Sequence, residues 1–409
     1  MHFAASFKHE HSLHLVAMLE KWTGTPIPKV YYPLLKAAYV RKYNIMRLRN
    51  TCSYLMYTLA LLSGCAPLGT RPSDTDIERF AASKNYNAEK NQFENRLPGV
   101  MEAMNNRIYS LDSFKAWLDG PEQGRPPQLL PSHQPNISAF SAKDESLKII
   151  WLGHSSFLLN MDGSIILVDP VFSQAASPIS LFVRRFQDPP IPLQALPPID
   201  YILISHDHYD HLDMETIEFF IERETHFVVP LGVDNHLTGW GIPAERVTEN
   251  DWWETASFAD VTFIAAPAQH FSGRDGIHPN ETLWASWIVQ SAHHIIYFSG
   301  DSGYDTHFQT IGERYGPFDV VFLDSGQYNE RWREVHMFPR EAMQAARDLR
   351  AQFHFPVHWG MFELALHDWD DPIRRLAKLR DEHSVPQLTP QLGQVVQIPG
   401  DVPDQAWWE

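Results

Sequence analysis

The sequence predicts an α/β fold built on two β-sheets, and three observations carry the prediction. From Leu147 onward the chain divides into short apolar runs of strand length separated by loops, with helical patterns between several of them. Residue types that bind metals fall repeatedly at the ends of those runs. A hydrophobic fraction of 44% supplies a real core for a chain of 409 residues.

The predicted strands cover residues 147–152, 157–160, 165–168, 201–205, 227–229, 261–266, 284–289, 295–299 and 320–323, with a further run at 353–357. Before them, residues 66–146 are polar and rich in turn formers, closing on Pro121, Pro126, Pro127, Pro131 and Pro135. This stretch is read as an arm that packs on a main domain over 147–400, with short helices at 77–82 and 107–118. The amino end reads as a targeting signal. Arg47 and Arg49 precede an apolar run over 54–62, shorter than the ~20 residues that span a bilayer.

Cys52 and Cys65 are the only thiols, so the main domain has neither a disulfide framework nor a cysteine zinc site. Leu62-Ser63-Gly64-Cys65 resembles the lipobox of bacterial lipoproteins. That resemblance implies a signal over 46–65, removal of Cys52, a lipidated Cys65, attachment to a membrane of the bacterial cell envelope, and residues 1–45 as an upstream start extension. The alternative is a short helix in a cytoplasmic protein. Asp plus Glu outnumber Lys plus Arg 50 to 33, and the net charge of −17 opposes nucleic acid as a partner.

The most informative motif is His206-Asp207-His208-Tyr209-Asp210-His211, placed directly after the apolar run 201–205. Alternate residues leaving a strand point to one side, so His206 and His208 can share one cation. Asp210 and His211 open an amphipathic stretch that turns them toward a neighbouring position. Imidazole suits Zn²⁺ and related divalent ions, and a carboxylate adds charge compensation. His270, Asp301 and His358 each follow another apolar run, where α/β folds place their sites.

In order and spacing, His206, His208, Asp210, His211, His270, Asp301 and His358 resemble the metal-binding motifs of the metallo-β-lactamase superfamily. With Trp151-Leu152-Gly153-His154, Val168-Asp169-Pro170, Asp251-Trp252-Trp253, Gly300-Asp301-Ser302-Gly303-Tyr304 and His358-Trp359-Gly360, the chain looks like its N-acyl-phosphatidylethanolamine-hydrolysing phospholipase D branch. The resemblance implies an αββα sandwich of two mixed sheets flanked by helices. It implies that His206, His208 and His270 hold one ion, that Asp210, His211 and His358 hold a second, and that Asp301 bridges them. Two Zn²⁺ are expected, with Mn²⁺ or Fe²⁺ fitting the same residues, and a water activated between the ions serves as nucleophile.

The activity implied is hydrolysis of a phospholipid diester to N-acylethanolamine and phosphatidic acid. The alternatives are a lactonase or small-molecule phosphodiesterase, or a non-catalytic envelope lipoprotein. Tyr209 and His336 match substrate-binding positions of the family, with a packed aromatic and a supporting histidine as the competing readings. Asp169 is expected to orient a ligand imidazole, and His154 to support the site. His278, His293, His294 and His367 are read as solvated. The segment 323–328 is more polar than its counterpart in the animal lipid enzymes and is expected to reshape the pocket.

Overall fold

The computed structural model describes residues 66–382, 384–400 and 402–409. The start extension over 1–45, the signal segment over 46–65 and the lipidation candidate Cys65 lie outside the described residues. Residues 67–409 form one compact unit.

Ahead of the sheets come α1 (Asp74–Phe80), the hairpin of β1 (Tyr86–Asn87) and β2 (Gln92–Phe93), α2 (Val100–Ile108), α3 (Leu111–Asp119) and the single turn α4 (Ile137–Phe140). α1 starts earlier than its apolar pattern suggests, because Ser73 and Asp76 close a capping box. The helix expected over 107–118 is two helices. Ser110 is extended and its side chain accepts from Ser113 N, which starts α3 afresh.

One sheet holds β3 (Leu147–Gly153), β4 (Ser156–Met161), β5 (Ser164–Val168), β6 (Tyr201–Leu203), β7 (His226–Pro230), β8 (Val247–Asn250) and β15 (Val395–Ile398), in the order β15-β3-β4-β5-β6-β7-β8. The other holds β9 (Thr255–Ser257), β10 (Thr262–Ala266), β11 (Ser286–Gln290), β12 (Ile295–Phe298), β13 (Phe318–Asp324) and β14 (Ala351–Val357), in the order β14-β13-β12-β11-β10-β9. Both are mixed. Pairing is antiparallel from β15 to β5 and from β12 to β9, and parallel from β5 to β8 and from β12 to β14.

Alternation of side chains along the strands explains the layering. Ile149, Trp151, Phe157, Leu159, Ile166 and Val168 face inward with Phe263, Trp287, Phe298, Phe322 and Phe355 of the other sheet in one buried cluster. Phe157 and Phe322 stack across the interface with centroids 4.2 Å apart. The opposite parity, Ile150, Leu158, Leu167, Ile202 and Phe227, packs outward on Ile217 of α5 (Met214–Glu218), on Phe220 and on Leu237 of α6 (Asp234–Gly239). Ile288, Tyr297 and Val321 do the same on Phe308 and Ile311 of α7 (His307–Tyr315) and Ala342 and Ala345 of α8 (Pro339–Asp348). The result is the expected helix, sheet, sheet, helix sandwich.

Candidate metal centre

Loops leaving the strand ends bring the predicted ligands to one place. His206 to His211 follow β6, His270 follows β10, Asp301 follows β12 and His358 follows β14. His206 Nε2 lies 2.9 Å from His208 Nδ1, and His270 Nε2 lies 3.2 Å from the same atom. Three imidazoles thus aim ring nitrogens at one point. Beside them, His358 Nε2 is 3.2 Å and His211 Nε2 3.4 Å from Asp210 Oδ2. Asp301 Oδ2 sits between the two groups, 3.8 Å from His206 Nε2, 3.7 Å from His270 Nε2 and 3.2 Å from both His211 Nε2 and His358 Nε2.

The inward nitrogens are set by what the other ring nitrogen donates to. His206 Nδ1 meets Ser205 Oγ at 2.9 Å, and that hydroxyl donates to Asp169 Oδ2 at 2.5 Å. His211 Nδ1 donates to Asp169 Oδ2 at 2.6 Å. His270 Nδ1 donates to the Val335 carbonyl at 3.1 Å and His358 Nδ1 to Asp324 Oδ1 at 3.0 Å. Each bond holds the outer ring N–H and turns Nε2 toward the centre. Asp169 therefore supports both halves, where the sequence suggested one ligand.

Electrostatics divide the centre. Burial, with neighbouring imidazoles, holds His206 well below the ordinary histidine value, and burial does the same to His270 and, less strongly, His208. Burial also opposes charge on His211 and His358, yet Asp301 with Asp210 or Asp324 outweighs it. His211 is raised well above the usual value and His358 to about 10. The same imidazoles hold Asp210 and Asp301 well below the carboxylate range despite burial.

The residues fit divalent ions. His206, His208, His270 and Asp301 form one largely buried donor set, with His208 partly exposed, and Asp210, His211 and His358 with His154 form another, with Asp210 partly exposed. His211 Nε2 and Asp301 Oδ1 are buried without a hydrogen-bond partner, as expected of atoms reserved for an ion. His154 stands at a left-handed φ of 54°, with Nε2 2.8 Å from Asp210 Oδ2. Burial, with the adjacent His358, lowers it to about 4, so a neutral ring donates to Asp210.

Gly300 holds a φ of 55°, and a Cβ there would come within 2.7 Å of Ser205 Cβ, so the turn into Asp301 needs glycine to lie on the loop that carries His206.

The remaining candidates separate. His336 borders a pocket of about 250 Å³ over the ligands, with Nδ1 2.8 Å from Asp324 Oδ2. Tyr209 does not line that pocket. Its hydroxyl donates to the Arg274 carbonyl at 2.9 Å, and its ring lies 4.0 Å under the Arg274 guanidinium. His367 and His294 are not solvated as expected: His367 packs against Tyr328 with ring centroids 4.8 Å apart, and His294 is largely enclosed with Nδ1 3.5 Å from Asp319. His278 and His293 are partly exposed, paired with Asp275 and Asp162.

Asp207, inside the motif, is no ligand. It accepts from Gly273 N at 2.7 Å, Thr282 Oγ1 at 3.1 Å and His236 Nε2 at 3.2 Å, which anchors the loop. Sequence reasoning assigned no role to Asp207 or Asp324. A carboxylate between two ligands, His206 and His208, was the available signal for the first, and the polarity of 323–328 for the second.

Residues 165–359 match the Beta-lactamase superfamily domain. An uncharacterized protein of Mycobacterium tuberculosis is 41% identical over 289 residues, covering 69% of this chain and 77% of its own. The N-acyl-phosphatidylethanolamine-hydrolyzing phospholipase D 1 of Caenorhabditis elegans is 35% identical over 268 residues, covering 62% of this chain and 74% of its own. The chain belongs to the metallo-β-lactamase superfamily, in the branch of those phospholipases. A solved metallo hydrolase from Ignicoccus hospitalis aligns with a TM-score of 0.49 and 20% identity, covering 62% of this chain and 98% of that one. Within the superfamily this protein is a metal-dependent hydrolase.

Proposed function

We propose that this hydrolase is a phosphodiesterase of phospholipase D type. Its substrates would be N-acyl-phosphatidylethanolamine-like lipids, cleaved to N-acylethanolamine and phosphatidic acid. The observation that carries the reading is the composition of the pocket. One side is the buried ligand cluster, while Met104 and Ile108 of α2, Phe271, Trp332, Val335 and Leu364 form an apolar wall beside it. A polar, charge-bearing reacting group next to an alkyl-lined wall is what a phospholipid presents.

Two divalent ions, Zn²⁺ first among them, would polarise the non-bridging phosphoryl oxygens and make water a nucleophile at neutral pH. His206, His208 and His270 would hold one ion, Asp210, His211 and His358 the other, with Asp301 between. The chain contributes the geometry: Ser205, Asp169, Val335 and Asp324 hold the ligand rings in place. His336 faces the pocket, where its Nε2 is available to a polar atom of the head group.

A lipid surface is the partner this reading requires. Between β5 and β6 a loop closed by the antiparallel bridge of Ala175 with Arg184 carries at its tip Ile179, Leu181 and Phe182, exposed at 45%, 76% and 54%, a cluster that water disfavours. Its base packs beside the centre, since Phe186 N donates to the Met361 carbonyl and Arg185 lies over Phe362, which touches His154. A lipidated Cys65 would hold the enzyme at the same surface.

The second reading is a lactone or small phosphodiester, favoured by the modest pocket volume of about 250 Å³. Metal-loaded protein assayed with N-acyl-phosphatidylethanolamine vesicles and with a lactone panel separates them. Phosphatidic acid is the expected product, and none from any phospholipid removes the lipase reading.

A further inference from the structure

Two imidazoles on opposite duties share one carboxylate. Asp324, the last residue of β13, is fully buried. Its Oδ1 lies 3.0 Å from His358 Nδ1, its Oδ2 lies 2.8 Å from His336 Nδ1, and Oδ2 also takes the Ser302 amide at 3.3 Å. The His336 and His358 rings stack with centroids 5.0 Å apart and planes 19° apart. Each carboxylate oxygen faces one ring Nδ1, and a carboxylate that accepts at both oxygens takes an Nδ1–H from each ring. Each Nε2 is then left for the site: that of His358 lies 3.2 Å from both Asp210 and Asp301, and His336 borders the pocket.

We propose that Asp324 is a positioning residue that couples the two sides of the centre, fixing His336 toward substrate and His358 toward metal with a single side chain. Neighbouring packing leaves it little freedom. Gly326, two residues on, lies so close to the His358 carbonyl that any Cβ would displace it, so the exit of β13 is set flush against the ligand it orients. Through Asp324, a change of tautomer or orientation at one ring is felt at the other, and the coupling acts in both directions. The inference rests on the metal-dependent hydrolase reading and does not depend on which bond is cut.

Asp324→Asn tests it, because an amide is the same shape with one acceptor and one donor. It satisfies one Nδ1–H and confronts the other with an N–H, so one ring must change tautomer. Titration of metal-free protein with zinc, followed by chelator competition, should show the second ion bound about 10- to 100-fold more weakly than in wild type, with the first little changed. With substrate, the variant should raise KM, and in a His336→Ala background it should add metal loss but no further rise in KM. A merely structural role would lower Tm and leave the affinity of the second ion intact, which would overturn the proposal.

Imidazole nitrogen NMR of the zinc-loaded wild type stands independently of whether the variant folds. Nδ1–H on both His336 and His358 is expected, and a bare Nδ1 on either ring contradicts the coupling.

Discussion

The two halves of the metal centre use the same imidazole chemistry and arrive at opposite charge. In the half of His206, His208 and His270, the outer nitrogens of His206 and His270 rest on a hydroxyl and a peptide carbonyl. In the half of His211 and His358 they rest on carboxylates, Asp169 and Asp324. Burial then keeps the first rings neutral, while carboxylates on both sides hold protons on the second pair. The identity of the atom behind a ligand, more than the ligand itself, decides whether an ion enters freely or must displace a proton.

Removing the feature the halves share should have the largest effect. Asp301→Ala takes out the carboxylate within 3.8 Å of four ring nitrogens. Turnover should fall on the order of 10³-fold, the scale of losing one charge-stabilising group from a preorganised site, and both ions should weaken. Steady-state kinetics with elemental analysis checks this. Loss of one ion alone would show that Asp301 belongs to a single half.

Asp169→Asn comes next. Asp169 receives His211 directly and His206 through Ser205, so the variant should cost about 10- to 100-fold in metal affinity and act more strongly on the second half. Zinc titration measures the split. Equal weakening of the two ions would remove the asymmetry between direct and relayed support.

The halves should also separate by pH in metal-free protein. The raised His358 contributes stability in full below the unfolded value near 6.5, and this fades as pH climbs through about 10. Lowered His206 and His270 act oppositely, because the unfolded chain takes up protons near pH 6.5 that the folded one refuses, so stability falls on the acid side. Lowered Asp210 and Asp301 add to the acid loss below about pH 4. Thermal unfolding across pH 5 to about 10 should therefore peak near neutrality without metal, and loading with zinc should remove the alkaline decline. An alkaline decline that persists in loaded protein would place the responsible proton elsewhere.

The smallest effect is expected away from the centre. Leu181→Ser with Phe182→Ser should change stability by no more than about 0.5 kcal/mol, since both are exposed, yet reduce binding to N-acyl-phosphatidylethanolamine vesicles. Vesicle sedimentation checks this, and unchanged binding would discard the tip as a lipid contact.

Much of this was legible in the sequence, for physical reasons. Central strands are apolar on both faces, so β3, β4 and β5 stand out as continuous runs. The ligands were legible because each follows such a run. β8, β9 and β15 were missed because they are edge or near-edge strands, short and partly exposed, with no apolar run to mark them. The supporting carboxylates were only half visible. Asp169 sits in a recognisable motif, whereas Asp324 is one acidic residue at a strand end until the fold stacks His336 on His358 around it.

Calorimetric titration of metal-free protein with zinc at pH 8, repeated in buffers of different ionisation heat, tests the asymmetry most directly. Two ions should bind, the first with little proton release and the second with protons shed from His211 and His358. A single ion, or equal proton release in both steps, would contradict a centre whose halves differ by the atoms behind their ligands.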